Sequence, residues 1–234
     1  MPKHTIRGFV PEDERNFGLQ TSLVKLKKAS EEIQYLLNCG YSIKNTTVFV
    51  GNHYLFSERQ RLALTRSISR ESEITLRKKK EVMYEKTVHI DGFNTIITLE
   101  VALSNSLLLE AMDGTIRDLA GLRGTYRLIE YTTEAILLIL EELQERNVEK
   151  AIFYLDEPVS NSGKLKVRIL ELAESFPFEV EVILLREVDR TLQTLSGVIT
   201  SDAIILNHCE SWINLNRDII FNQLPDSWIV KLWD

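Results

Sequence analysis

The feature that most restricts the fold of this chain is an alternation of apolar and helix-patterned segments between residues 87 and 202. Strands are expected at 87–91, 151–155, 180–185 and 197–200. Helices are expected between them at 132–146, 164–175 and 188–195. Strands that alternate with helices predict a mainly parallel sheet covered on both faces, and therefore a three-layer α/β/α fold. Residues 98–103 and 107–112 are rich in apolar side chains around Ser-Asn-Ser and predict a hairpin inserted after the first strand.

The segment before residue 87 has a different pattern and predicts a small, mostly helical N-terminal module. Ser57-Glu58-Arg59-Gln60 has the form of a capping box, and the helix it opens is expected to run through Arg70. The stretch TTVFVGNHYLF is apolar and β-branched, which favours a short strand or a buried loop.

Charge divides the chain at the same place. Residues 1–86 hold 16 Lys and Arg against 10 Asp and Glu, whereas residues 87–234 hold 12 against 24. We therefore expect a basic module, 1–86, and an acidic α/β domain, 87–234. The basic part is suited to a polyanion and the acidic part to cations; the alternative is that solvated helix faces segregate by chance.

Aspartates follow the predicted strands. Asp91, Asp156 and Asp202 come where three strands end, and Asp189 lies just beyond a fourth. The carboxyl ends of parallel strands meet at one crevice, so these four side chains are expected to converge. Carboxylates that approach each other repel, and a divalent cation relieves the repulsion. Oxygen ligands without a Cys or His cluster favour Mg²⁺ or Mn²⁺. The alternative is four unrelated turn or capping aspartates.

The ordered series IDGFN, FYLDEP, VEVILLREVD and VITSD resembles the PIN-like nuclease superfamily, especially its NYN branch, over about residues 87–210. This resemblance implies a PIN-like sheet, with Asp91, Asp156, Asp189 and Asp202 as metal-binding, catalytic acids. It also implies that Asn94 and Ser201 are the polar residues beside the first and last of these acids, where they would contact substrate. The whole chain further resembles a prokaryotic family of unknown function in which a helical module precedes the α/β part.

Two further segments are candidates for phosphate binding. Asp118 lies among Arg117, Arg123 and Arg127, which predicts either a salt-bridge network or an additional metal ligand beside phosphate-binding arginines. The loop before the third helix contributes hydroxyl, amide and amine groups: Ser160, Asn161, Ser162 and Lys164. These groups either bind a phosphate or simply cap the helix.

Several classes of protein are disfavoured. GxSxG and GxGxxG motifs are absent, which argues against a serine hydrolase and a dinucleotide enzyme. A phosphatase of the haloacid dehalogenase type would need an acid at Phe93. The N-terminus lacks the apolar core of a signal peptide, and the run 135–140 is too short to cross a bilayer. We therefore expect a cytoplasmic protein without a membrane partner.

The leading hypothesis is a Mg²⁺- or Mn²⁺-dependent nuclease that acts on RNA rather than DNA, with the basic helices gripping the backbone. The alternative hypothesis is a non-catalytic RNA- or protein-binding module on the same fold. The tail that contains Trp212, Trp228 and Trp233 is expected to pack inside the protein, or else to form a contact in a homo-oligomer.

Overall fold

The structure is a computed structural model that describes residues 6–121 and 124–234. Its first part is helical and begins with a π-helical turn at Glu14–Gly18. Four α-helices follow: α1 (Gln20–Asn38), α2 (Ile43–His53), α3 (Glu58–Ser67) and α4 (Glu71–Lys80). The predicted capping box is confirmed, because the Ser57 hydroxyl accepts from the backbone N–H of Gln60 and the Gln60 side chain accepts from that of Ser57.

Strands and helices then alternate to the end of the chain, except that the second and third strands follow each other directly. The elements are β1 (Thr87–Asp91), α5 (Gly92–Leu103), β2 (Leu108–Glu110), β3 (Ile116–Asp118), α6 (Glu130–Glu145), β4 (Lys150–Asp156), α7 (Ser162–Ala173), β5 (Glu179–Leu185), α8 (Val188–Leu192), β6 (Val198–Ile199), α9 (Ala203–His208), β7 (Trp212–Ile213), α10 (Leu215–Gln223) and β8 (Ile229–Lys231).

The main sheet has five parallel strands in the order β5-β4-β1-β6-β7, which confirms the predicted α/β fold. The chain moves from β1 outward through β4 to β5, and then returns to the other side of β1 for β6 and β7. The strand order therefore reverses at the border between β1 and β6. In open sheets of this kind, the crevice at such a reversal point is where ligands bind.

Each face of the main sheet packs against helices because side chains alternate along the strands. Val88 and Ile90 of β1 and Phe153 of β4 belong to a large core that includes side chains of α5, α6, α7 and α10. On the opposite face, Tyr154 packs with side chains of α8 and α9. The five-stranded sheet is thus the middle of three layers.

A second, smaller sheet joins the helical module to the rest of the chain. Its order is β3-β2-β8, with β2 antiparallel to β3 and parallel to β8. Leu109 of β2 and Val230 of β8 share a buried cluster with Leu26 of α1 and Leu64 of α3. The basic module is therefore docked on the α/β part through a common apolar core.

The expected hairpin of 98–103 with 107–112 is wrong. Residues 92–103 form α5, and β2 instead pairs with β3 around the Asp113-Gly114 turn, where Gly114 has φ +86°. Helix α5 is buried on nearly every side, from Phe93 to Ala102. A helix that is apolar all round lacks the amphipathic period, so its sequence is easily mistaken for strand.

Two expectations for the helical module also differ from the structure. Residues 46–53, eight of the eleven residues expected to be a strand or a buried loop, lie in α2, which Ser42 caps by accepting from the backbone N–H of Asn45. Helix α3 ends at Ser67 rather than Arg70, and Arg70 instead precedes α4.

The C-terminal tryptophans pack as expected. Trp212 is fully buried, and its indole N–H donates to the Arg77 carbonyl at 2.7 Å. Trp228 and Trp233 pack at the edge of the core shared with the helical module. Among the described helices, none combines the length and the apolar character needed to cross a membrane.

Candidate functional site

The four aspartates predicted from the strand ends line one cleft of about 630 Å³ at the carboxyl edge of the main sheet. Asp91 ends β1 and Asp156 ends β4. Asp189 lies in the first turn of α8, directly after β5, and Asp202 is the N-cap residue of α9, directly after β6. The cleft therefore lies at the reversal point between β1 and β6, with Asp91 at its centre.

Asp91 is the most deeply placed of these acids, with 7% of its surface exposed. Burial, together with the charges of Asp202, Asp189 and Asp156, raises the pKa of its carboxyl to about 7, although the hydrogen bond from Thr200 opposes this shift. The Thr200 hydroxyl donates to Asp91 Oδ2 at 2.8 Å. A carboxyl group with a pKa near neutrality, inside a cleft, is a common property of functional sites.

Gly92 allows helix α5 to begin immediately after Asp91. A Cβ atom at this position would lie 2.5 Å from Leu155 Cδ2 and 3.0 Å from the Tyr154 carbonyl oxygen. The helix start is thus pressed against β4, and this close approach fixes where the Asp91 side chain emerges.

Asn94 and Ser201 connect the two turns that flank the reversal point. Asn94 Oδ1 accepts from the backbone N–H of Ser201 at 2.8 Å and from its hydroxyl at 2.9 Å. Within the part of the chain that the structure describes, Asn94 Nδ2 has no hydrogen-bond partner, and Asn94 lines the cleft. The two residues therefore hold β1 and β6 in register at the site, and the Asn94 amide group remains available to a ligand.

The outer acids are more accessible. One carboxylate oxygen of Asp202 caps α9 by accepting from the backbone N–H groups of Ile204 and Ile205, at 2.8 and 3.2 Å. Burial and the charge of Asp189 raise the pKa of Asp156; burial and the charge of Asp202 raise that of Asp189. The pKa values of Asp91, Asp156 and Asp189 are thus each raised in part by the charge of a neighbouring carboxylate. Among the described residues, however, no three His, Cys, Asp or Glu side chains form a group close enough to hold an ion as they stand.

Asp118, expected to be ringed by arginines, also lines the cleft. Its carboxylate accepts from the Thr98 hydroxyl at 3.1 Å and from the Ala120 backbone N–H at 2.7 Å, and lies 3.6 Å from Arg66 Nη1. Burial raises the pKa of Asp118, and the charge of Arg66 opposes the rise. The nearest cation described is thus Arg66 of α3, whose position at the cleft was not predicted.

The three arginines near Asp118 in the sequence, at positions 117, 123 and 127, differ in where they lie. Arg117 lines the cleft, but its Nη2 is 2.5 Å from Asp113 and its Nε donates to Thr115 at 3.0 Å. Arg127 is exposed and does not line the cleft. Arg123, expected to bind phosphate, lies outside the described residues.

The loop before α7 does not line the cleft. Ser160 Oγ accepts from the backbone N–H of Tyr126 at 3.1 Å, and the Asn161 side chain donates to the Tyr126 carbonyl at 2.7 Å. Ser162 Oγ donates to the Glu157 carbonyl at 3.4 Å, and Lys164 is exposed. Asn161 is the N-cap residue, but its side chain makes no capping bond. The polar groups of this loop therefore anchor the segment around Tyr126.

The sequence predicted that the basic helices grip an RNA backbone, but it did not indicate which of their residues reach the acids. Ile43, Thr65 and Arg66 line the cleft opposite Ala203 and Ile204 of α9. The only available signal was the run of basic residues on α3, and that signal does not distinguish Arg66 from Arg59, which is bound to Asp13 at 2.6 Å.

Comparisons with known proteins agree with the expected resemblance to a family of unknown function. Residues 80–218 match the profile of a domain of unknown function, DUF5616, and residues 25–80 match that of a protein of unknown function, DUF434. The uncharacterized protein MJ0935 of Methanocaldococcus jannaschii is 37% identical over 187 residues, which are 78% of this chain and 89% of the archaeal one. No solved structure matches the chain significantly.

Proposed function

The chain belongs to the DUF5616 family, and for this member we propose a divalent-metal-dependent nuclease that hydrolyses phosphodiester bonds of RNA. The assignment to the PIN-like superfamily, and to its NYN branch, is part of this proposal. So are the acidic metal ligands Asp91, Asp156, Asp189 and Asp202, with Asp118 as an additional one.

The observation that carries the proposal is the convergence of aspartates from four separate strand ends on one cleft. Asp202 caps α9, but capping does not account for Asp91, whose side chain makes no capping bond although it directly precedes α5. Burial of Asp91 also costs free energy, because a buried carboxyl is unfavourable when it is ionised and unpaired. A cation bound in the cleft would offset this cost, which gives a physical reason for an aspartate at position 91.

The donor set fits Mg²⁺ or Mn²⁺. The carboxylates offer hard oxygen ligands, and neither Cys nor His is found among the described residues that line the cleft. Mg²⁺ commonly uses one or two carboxylates and completes its shell with water and substrate phosphate oxygens. This mode of binding is compatible with acids that share the cleft without three of them forming a closed group.

The chain's own residues have distinct roles in this proposal. Thr200 orients the Asp91 carboxyl, and Asn94 presents its amide group to a phosphate oxygen. Negative charge at the opening of the cleft comes from the more accessible acids, Asp156, Asp189 and Asp202. A divalent ion bound there supplies an activated water and neutralises charge on the phosphate.

Cleavage of end-labelled RNA in Mg²⁺ and in Mn²⁺ tests the proposal, with Asp91→Asn and Asp202→Asn as site variants. Asparagine is also a good helix cap, so the second substitution preserves α9. The exposed Asp226→Asn is a control with the same loss of charge, outside the cleft. The proposal predicts metal-dependent cleavage that both site variants lose and the control retains. Equal cleavage by all four proteins would show that the activity arises elsewhere.

A non-catalytic RNA- or protein-binding module is the second candidate. It is favoured by one observation: no three acids of the described chain form a metal-binding group as they stand. This candidate predicts tight RNA or protein binding without turnover in either metal ion.

A further inference from the structure

We infer that the helical module forms the substrate-holding wall of the cleft, where Arg66 binds a phosphate of a single RNA strand that continues into a second chamber beside α4. This inference rests on the proposed function for its substrate class, and it assigns a part to the N-terminal module.

The cleft has two walls that come from different parts of the chain. Asp156, Asp189 and Asp202 come from the α/β part, whereas Thr65 and Arg66 come from the end of α3. The common apolar core under the small sheet holds these walls together. The acids and the basic module therefore face one space, which explains why opposite charges are segregated along the sequence.

Arg66 is the cation best placed to meet a phosphate beside the acids. Its side chain is 34% exposed, its Nη1 donates to the Asp118 carbonyl, and the same atom is 3.6 Å from Asp118 Oδ1. Across the described residues, its Nε and Nη2 have no protein partner. Asp118 thus positions the guanidinium, while two N–H-bearing atoms remain for a phosphate, which arginine binds in a fork.

A second chamber, of about 370 Å³, adjoins the cleft. It shares Thr65, Arg117 and Ile204 with the cleft and extends along Ser42 and Arg70. Arg70 is partly exposed and donates to the Tyr41 carbonyl at 3.2 Å. A strand whose phosphate lies at Arg66 can therefore follow a track across these shared residues toward a second arginine.

The depth of the site favours a single strand over a duplex. Asp91 is 7% exposed, so the reacting phosphate must enter the cleft to approach it. A flexible strand can splay its bases and lower one phosphate between the walls, whereas the paired strand of a duplex prevents this. Contacts to phosphates also predict little preference for base sequence.

Fluorescence anisotropy with labelled decauridylate, in EDTA and in Mg²⁺, tests the inference on the full chain. Arg66→Gln should weaken binding about tenfold or more, because a hydrogen-bonded charge is lost. Arg66→Lys, which keeps the charge without the fork, should lose less. Lys28→Gln removes the same charge from an exposed site on α1 and should change binding less than about twofold. A hairpin RNA of the same length should bind the wild type more weakly than decauridylate.

The track between the two chambers is tested by Thr65→Trp, because Thr65 is exposed and lies on the lip that they share. The bulky ring should weaken decauridylate binding while the melting temperature and circular dichroism stay those of the wild type. Unchanged binding by the folded Thr65→Trp protein would overturn the second chamber as part of the site.

The outcomes separate this inference from the proposed function. If the wild type cleaves RNA but Arg66→Gln leaves both KM and decauridylate affinity unchanged, the nuclease stands and the inference is wrong. If decauridylate binds through Arg66 but is never cleaved in Mg²⁺ or Mn²⁺, the inference stands and the nuclease is wrong. Equal binding of the hairpin and the single strand would overturn the preference for a single strand.

Discussion

The Thr200 hydroxyl donates a 2.8 Å hydrogen bond to the Asp91 carboxylate across the border between β1 and β6. This bond joins the two halves of the sheet at the point where strand order reverses. Thr200 Oγ1 also accepts from the backbone N–H of Asp202 at 3.1 Å. One hydroxyl therefore links the first and the last strand-end acids, and it lowers the pKa of the buried Asp91 against the effect of burial.

Replacement of Thr200 by valine should disturb this link without a large change in volume. We expect Thr200→Val to lose about 1–2 kcal/mol of the free energy of unfolding, because buried polar partners lose a donor. The pKa of Asp91 should rise, since the bond from Thr200 favours the ionised form. Urea unfolding measures the first effect, and Mn²⁺ affinity at neutral pH should fall with the second. Thr200→Ser keeps the hydroxyl and should restore most of the affinity; a serine variant as weak as valine would contradict this role.

The buried Asp91 should make metal-free protein less stable as the pH rises. The pKa of Asp91 is about 7 in the folded protein, above the ordinary 3.8. The protonated carboxyl therefore makes its full contribution to stability below pH 3.8, and this contribution is lost as the pH rises through 7. The loss amounts to about 4 kcal/mol at most, at 1.36 kcal/mol for each pKa unit. Asp91→Asn removes this titration and should therefore stabilise the protein more at pH 8 than at pH 5. Urea unfolding of both proteins in EDTA measures the difference, and an equal effect at the two pH values would refute it.

The close contact between Gly92 and β4 should leave no room for a side chain at this position. Gly92→Ala would place a Cβ 2.5 Å from Leu155 Cδ2 and should cost about 1–3 kcal/mol of the free energy of unfolding, because the helix start must move from β4. Gly163→Ala is the matched control, since nothing lies within 4 Å of its Cβ position in α7. It should be neutral, or stabilising by up to about 1 kcal/mol. Thermal unfolding compares the two, and an equal response would show that the contact with β4 is unimportant.

The strand-end acids could be predicted because the signal is local and the geometry is general. Apolar strands such as Val88–Ile90 are readable from their residue types, and parallel strands place their carboxyl ends at one edge. Helix α5 could not be predicted from its residue types. Its burial on nearly all sides removes the polar face that reveals a helix, and its second half, residues 98–103, then resembles a strand.

Local patterns could not predict which basic side chain of the helical module reaches the acids. Arg59, Arg61 and Arg66 all lie on α3, yet Arg59 is bound to Asp13 and Arg61 donates to the Phe56 carbonyl at 2.9 Å. Only the docking of α3 on the small sheet brings Arg66 to the acids. Docking is set by packing between distant segments, such as Leu64 and Leu109, and no local spacing records it.

Calorimetric titration of Mn²⁺ into metal-free protein at pH 6 and pH 8, for the wild type and Asp91→Asn, tests whether the strand-end aspartates form a metal centre. Such a centre predicts binding to the wild type that is stronger at pH 8, because Asp91 must release a proton with a pKa of about 7. Asp91→Asn should bind far more weakly at both pH values. Wild-type and Asp91→Asn proteins that bind Mn²⁺ equally at both pH values would contradict a metal centre at the strand-end aspartates.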